Sequence, residues 1–148
     1  MFPFLVPRII FNMPDGRDEL DPSTESLREL VFRGGDEFWA WGSGQAALEF
    51  IGVERGSRLL LMGLEAAGFF LIYEPAQGDE LCSINPSATV EDRDQVKIYV
   101  GGEPMHVPRR NFLDKETALH VVGDFLHDGH PSPKVKWEAG CDFPDFPF

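Results

Sequence analysis

The chain reads as an α+β domain: a mostly antiparallel sheet of about six to eight strands with two helices packed on one face. Three observations predict it. Short runs that alternate apolar and polar, or that are apolar throughout, recur along the chain at strand length. Helical spacing occurs in two stretches, one after Ser23-Thr24 and one between Asp114 and Gly129. Tight turn signals, Gly63 to Ala67 and Gly101-Gly102, join neighbouring runs as hairpins. The order is strand, helix, several antiparallel strands, helix, strand.

Phe4 to Phe11 is apolar and β-branched enough for an opening strand, which Pro7 confines to an edge or a break. The turn-rich NMPDGRDELDPSTES follows as a loop. Ser23 or Thr24 caps a first helix with Leu27, Leu30 and Val31 on its apolar stripe, ending at Gly34-Gly35. From Glu37 the period changes to two: Glu37 to Trp41 sets Trp39 and Trp41 on one strand face, and Ala46 to Val53 alternates less cleanly. Arg58 to Met62 and Gly68 to Glu74 are nearly continuous apolar runs, as strands covered on both faces require. Pro75 to Asp94 reads as a long loop, interrupted by a strand around Leu81 to Ile84. Val96 to Val100 and Met105 to Val107 then form a hairpin.

Val107 to Trp137 is the stretch that organises the rest. Asp114 is placed to accept the N–H of Glu116 or Thr117, and Glu116 adds negative charge to the first turn of a helix. Ala118, Val121, Val122 and Phe125 form its buried stripe, widened by Leu119 and Leu126. Gly129 supplies the left-handed stop, and Pro131 and Pro133 prevent a restart. Lys134 to Trp137 alternates as a final strand whose edge is open to a second chain.

At 148 residues and 43% hydrophobic content the chain has material for one core and not two. Residues 1–148 are expected to form a single domain, with 138–148 as a C-terminal tail whose Phe143, Phe146 and Phe148 pack back on it. No apolar run approaches the roughly 18 to 20 residues of a membrane span. Met1 to Phe11 carries Pro3, Pro7 and Arg8 without a small-residue cleavage site, so a soluble cytoplasmic protein is expected. Cys82 and Cys141 can pair only once, too few for a disulfide scaffold, and free thiols in a reducing compartment are the expectation. The 25 acidic residues against 13 Lys and Arg leave a net charge of −12. Such a surface repels phosphate backbones and attracts a basic partner.

Catalytic motifs fail one by one. Gly34-Gly35 follows a helix, and Gly42-Ser43-Gly44 lacks the Lys-Ser/Thr of a phosphate-binding loop. His120, Asp124 and His127 share a helical face at a spacing that suits zinc, but the same residues are common on solvated helices. Cys82 has no nucleophile signature around it, and the serines sit in loops or caps. No catalytic, metal or cofactor site is expected. The residues chosen instead are the carboxylates of the long loop, Asp79, Glu80, Glu91, Asp92 and Asp94, because a charged loop of that length in a compact domain is commonly functional.

The succession VKIYVGGEPMHVPRR, LDKETALHVVGDFLHDG and HPSPKVKW resembles immunity protein family one of bacterial polymorphic toxin systems. The matching features are the helix start at Glu116 to Ala118, Phe125 near the helix end, the Gly129 turn, Pro133 and Trp137. The resemblance covers residues 96–137 and the earlier strands only in arrangement. His130-Pro131-Ser132 lengthens the family's glycine-to-proline turn, and the DFPDFPF tail has no counterpart in it. The resemblance implies a non-enzymatic cytoplasmic inhibitor that binds a cognate toxin domain, frequently a nucleic-acid deaminase or nuclease, without itself touching nucleic acid or membrane. Two rival readings stand beside it. One is a small-molecule-binding or enzymatic domain using Trp39, Trp41 and a cleft beside the sheet. The other is an acidic DNA mimic that inhibits a general nucleic-acid enzyme.

Overall fold

The computed structural model describes residues 8–29, 39, 44–51, 56–64, 67–87, 94–100 and 103–139. Within them the α+β class holds: an eight-stranded antiparallel sheet, a separate two-stranded sheet and two α-helices.

β1 (Arg8–Asn12) begins after Pro7 and lies between two other strands, not at an edge. The edge belongs to β2 (Asp18–Leu20), which falls in the stretch expected to be a loop. Asp-Glu-Leu has little strand propensity, so the turn creates this strand. Gly16 takes φ +94°, its N–H donates to the Met13 carbonyl at 3.0 Å, and Met13 N–H donates to Arg17 at 2.8 Å. Asp21 then locks the register: its carboxylate accepts Ile9 N–H at 2.9 Å and pairs with Arg8 at 3.1 Å.

α1 (Thr24–Leu27) is capped by Ser23, whose hydroxyl oxygen accepts Ser26 N–H at 3.0 Å, and it buries Leu27 completely. Leu30, Val31 and Gly34-Gly35 lie outside the described residues. Trp39 has helical backbone, which overturns the strand expected over Glu37 to Trp41 at the one position of it that is described.

β3 (Ala46–Ile51), β4 (Arg58–Leu64), β5 (Gly68–Glu74) and β6 (Leu81–Ile84) continue the sheet, whose order is β10-β6-β5-β4-β3-β1-β2. Strand alternation sorts their side chains into two cores. Leu48, Leu59, Leu61, Phe69, Leu71 and Tyr73 face the helices, while Ala47, Leu60, Met62, Phe70, Ile72 and Cys82 face the opposite layer. That opposite layer is β7 (Gln95–Val100) and β8 (Glu103–Pro108), a hairpin that forms its own sheet and inserts Val96, Ile98 and Val107. Both faces of β4 and β5 are therefore dry, which explains their unbroken apolar runs.

A 3₁₀ turn (Arg109–Asn111) leads into β9 (Phe112–Leu113), which takes over as neighbour of β5 where β6 stops. Ser83 and Asn111 plug that junction. Leu71 N–H donates to Ser83 Oγ at 3.1 Å, Ser83 donates to the Asn111 carbonyl at 3.0 Å, and Asn111 Nδ2 donates to the Ser83 carbonyl at 2.9 Å. The cost of the junction is Asn111 Oδ1, which is buried without a partner.

α2 (Lys115–Asp128) matches its sequence signals. Asp114 accepts Thr117 N–H at 2.7 Å, Ala118, Val121, Val122 and Phe125 are buried, and Gly129 closes the helix at φ +73°. β10 (Lys136–Ala139) starts two residues later than the Lys134 to Trp137 expected. Ser132 holds the intervening turn by donating to Asp124 at 2.6 Å and accepting from Lys134 N–H at 3.2 Å, and Trp137 Nε1 donates to the Ser132 carbonyl. Among the described strands β10 is the outer one, beside β6.

Cys82 is disulfide-bonded, which corrects the expectation of free thiols. The one other cysteine of the chain, Cys141, lies outside the described residues, as does most of the 138–148 tail.

Candidate functional site

The carboxylates expected to act together are divided by the fold. Asp79 and Glu80 sit in the connection between β5 and β6, exposed at the end of the sheet where Tyr73 pairs with Leu81. Asp94 lies beyond the other end of β6, just before β7, where its carbonyl accepts Arg109 N–H at 2.7 Å. The four residues of β6 separate the two positions by on the order of 10 Å or more. Glu91 and Asp92 lie outside the described residues.

What the fold gathers around Glu80 is a different set. The β3–β4 and β4–β5 registers place Glu49 opposite Arg58 and Arg58 opposite Glu74, so one row of charges crosses three strands. Arg58 Nη1 pairs with Glu74 Oε1 at 3.0 Å. Glu74 in turn meets Glu80, whose carboxyl is held above its ordinary range, first by partial burial and then by the charge and hydrogen bond of Glu74. Arg58 thus pairs with Glu74 and stands across the ladder from Glu49, while Glu80 brings a second carboxyl against Glu74, with Asp79 next to it in sequence. Two like charges are held together by the chain turn that starts at Pro75, and a cation arriving from outside would relieve that repulsion.

Sequence reasoning found Glu80 and missed Glu74, Arg58 and Glu49. The signal was available in the hairpin itself: Arg58 opens one apolar run and Glu74 closes the next, so antiparallel pairing about the intervening turn brings them face to face.

The other candidates have structural work. Trp39 is buried, the commoner fate for such an aromatic, and meets Phe69 edge-on at a centroid distance of 6.1 Å, while Trp41 lies outside the described residues. Asp124 of the would-be zinc face holds Ser132 and Lys134. Among the described residues no group of three or more His, Cys, Asp or Glu is disposed to hold a metal ion. Ser57 and Tyr73 both donate to the Gly129 carbonyl, at 2.6 and 3.0 Å, and so act on the helix end and not on a base. None of the helices over the described residues is long and apolar enough to cross a membrane.

No family model, curated protein or solved structure matches the chain.

Proposed function

We propose that this chain is an immunity-type inhibitor, a non-enzymatic protein that binds a cognate bacterial toxin domain and blocks it by steric and electrostatic means. The observation that carries the reading is the acidic corner built by Glu74, Asp79 and Glu80, where among the described residues Arg58 pairs with Glu74 and Glu80 is crowded against it. A basic cleft that handles nucleic acid offers cations to this corner, and the net charge of −12 would steer such a partner in from a distance. The resemblance of residues 96–137 to immunity protein family one supports the same class. Such an inhibitor needs no cofactor.

Co-expression tests the reading. A toxin domain encoded at the C-terminus of the secreted protein directly upstream is expected to stop growth alone and to be tolerated when this chain is present. Growth arrest despite abundant folded chain would overturn the proposal.

A further inference from the structure

A second feature of the fold points to a small ligand, independently of any toxin. β3 pairs with β4 only as far as Ala46 opposite Leu61, while β4 runs on to Leu64. The chain before β3 leaves the sheet there: at Gly44, φ +73°, it passes so close to β7 that a Cβ would fall 2.2 Å from the Tyr99 carbonyl oxygen. Its departure opens a notch between the end of β4 and the strand β7 of the opposite layer. The notch holds a cavity of about 250 Å³, partly open to solvent.

Its walls are apolar and aromatic. Met62, Leu64, Ile98, Trp39 and Tyr99 line it. The indole is seated by Gly63, where a Cβ would come within 2.5 Å of Trp39 Nε1. Trp39 is thereby fixed in place before any ligand arrives. A cavity of about 150 Å³ already accepts benzene, so this one has room for a ring with a short substituent.

Two polar features converge on it. Phe50 N–H donates to the Ser57 carbonyl, which fixes the phase of the β3–β4 ladder: the odd-numbered residues of β4 turn their peptide groups toward β3. Gly63 continues that series past the point where β3 has gone, so its N–H and C=O face the notch. Lys97 lines the same cavity, its ammonium 5.4 Å from the Tyr99 ring centroid. In a protein of net charge −12 a cation beside an apolar cavity favours an anion locally, because charges farther away than about 8 Å are screened at physiological salt.

We infer that the notch between β4 and β7 binds a single-ring aromatic carboxylate, its ring against Trp39 and Leu64 and its carboxylate on Lys97.

The test uses the full chain, isotope-labelled, titrated with benzoate, phenylacetate and phenylpropionate, and with phenylacetamide as the neutral match. The Trp39 indole and Gly63 amide resonances are the reporters. At least one of the acids is expected to shift both saturably. Lys97→Met should weaken that acid at least about ten-fold while leaving phenylacetamide unchanged. Leu64→Trp, which fills the cavity, should abolish both sets of shifts in a protein whose other resonances stay dispersed. Absence of saturable shifts with all three acids, or shifts that survive both substitutions, would overturn the inference. Either result leaves toxin capture by the acidic corner unaffected.

Discussion

The hydroxyl of Tyr73, on β5, donates to the carbonyl of Gly129, the residue that ends α2, at 3.0 Å. Ser57 donates to the same oxygen at 2.6 Å. Both hydroxyls reach it from the sheet, so the helix end is fixed by a carbonyl that no helical N–H can satisfy. Removing one donor leaves the other in place, and Tyr73→Phe or Ser57→Ala should each cost about 1 kcal/mol. The double variant leaves a buried acceptor bare and should cost more than the two single effects added together. Urea unfolding of the four proteins checks this; strictly additive losses would show that the two donors act separately.

Gly129 itself should be nearly irreplaceable. Its φ is +73°, and a Cβ there would lie 2.8 Å from the Phe50 ring. Gly129→Ala combines left-handed strain with that clash and should cost about 2 kcal/mol or more. Phe50→Leu in the same chain should restore part of the loss, because it removes the clash and not the strain. Thermal unfolding of the single and double variants separates the two components.

Glu80 makes stability depend on pH in an unusual direction. Its carboxyl is raised above the ordinary value of 4.5 in the folded state, so folding favours the protonated form. The native chain therefore holds more protons than the unfolded one just above pH 4.5, and this group's contribution falls as pH rises through the folded value. Glu80→Gln should flatten that decline and stabilise the neutral-pH protein by on the order of a few tenths of a kcal/mol, the small size reflecting solvent screening. A variant less stable than the parent at pH 7 would contradict the repulsion between Glu74 and Glu80.

Cys82 is buried on the hairpin side of β6 and disulfide-bonded, and the sequence contains one possible intramolecular partner, Cys141. Peptide mapping without reductant should recover a linked Cys82–Cys141 fragment. Reduction should lower stability by about 2 to 5 kcal/mol. Recovery of two alkylated thiols from oxidised, natively purified chain would contradict the bond.

The parts of the fold that were legible in sequence are those fixed by local chemistry. Asp114, Gly129 and the Ala118–Val121–Val122–Phe125 stripe define α2 without reference to anything distant. β5 is bounded by Gly68 and Glu74 as its composition indicates. Three features needed the third dimension. β2 forms because the Gly16 turn delivers Asp18 to Leu20 to β1, against their propensities. The alternation of β7 and β8 shows that one face is buried, but not that the burial is against a second sheet. Trp39 sits in an aromatic stretch whose composition favours strand, and its backbone is helical. The site divides similarly. Asp79 and Glu80 stand out as loop acids, whereas their union with Glu74 and Arg58, and their separation from Asp94, follow from register and from the length of β6.

The corner formed by Glu74, Asp79 and Glu80 is proposed to engage a basic toxin domain. The most direct measurement is the affinity of the chain for the upstream-encoded toxin domain, by calorimetry at low and at physiological salt, for the parent and for Asp79→Lys/Glu80→Lys. The charge-reversed chain is expected to fold as the parent does and to bind at least about a hundred-fold more weakly, with a smaller dependence on salt. Equal affinity for the two chains at low salt would contradict it.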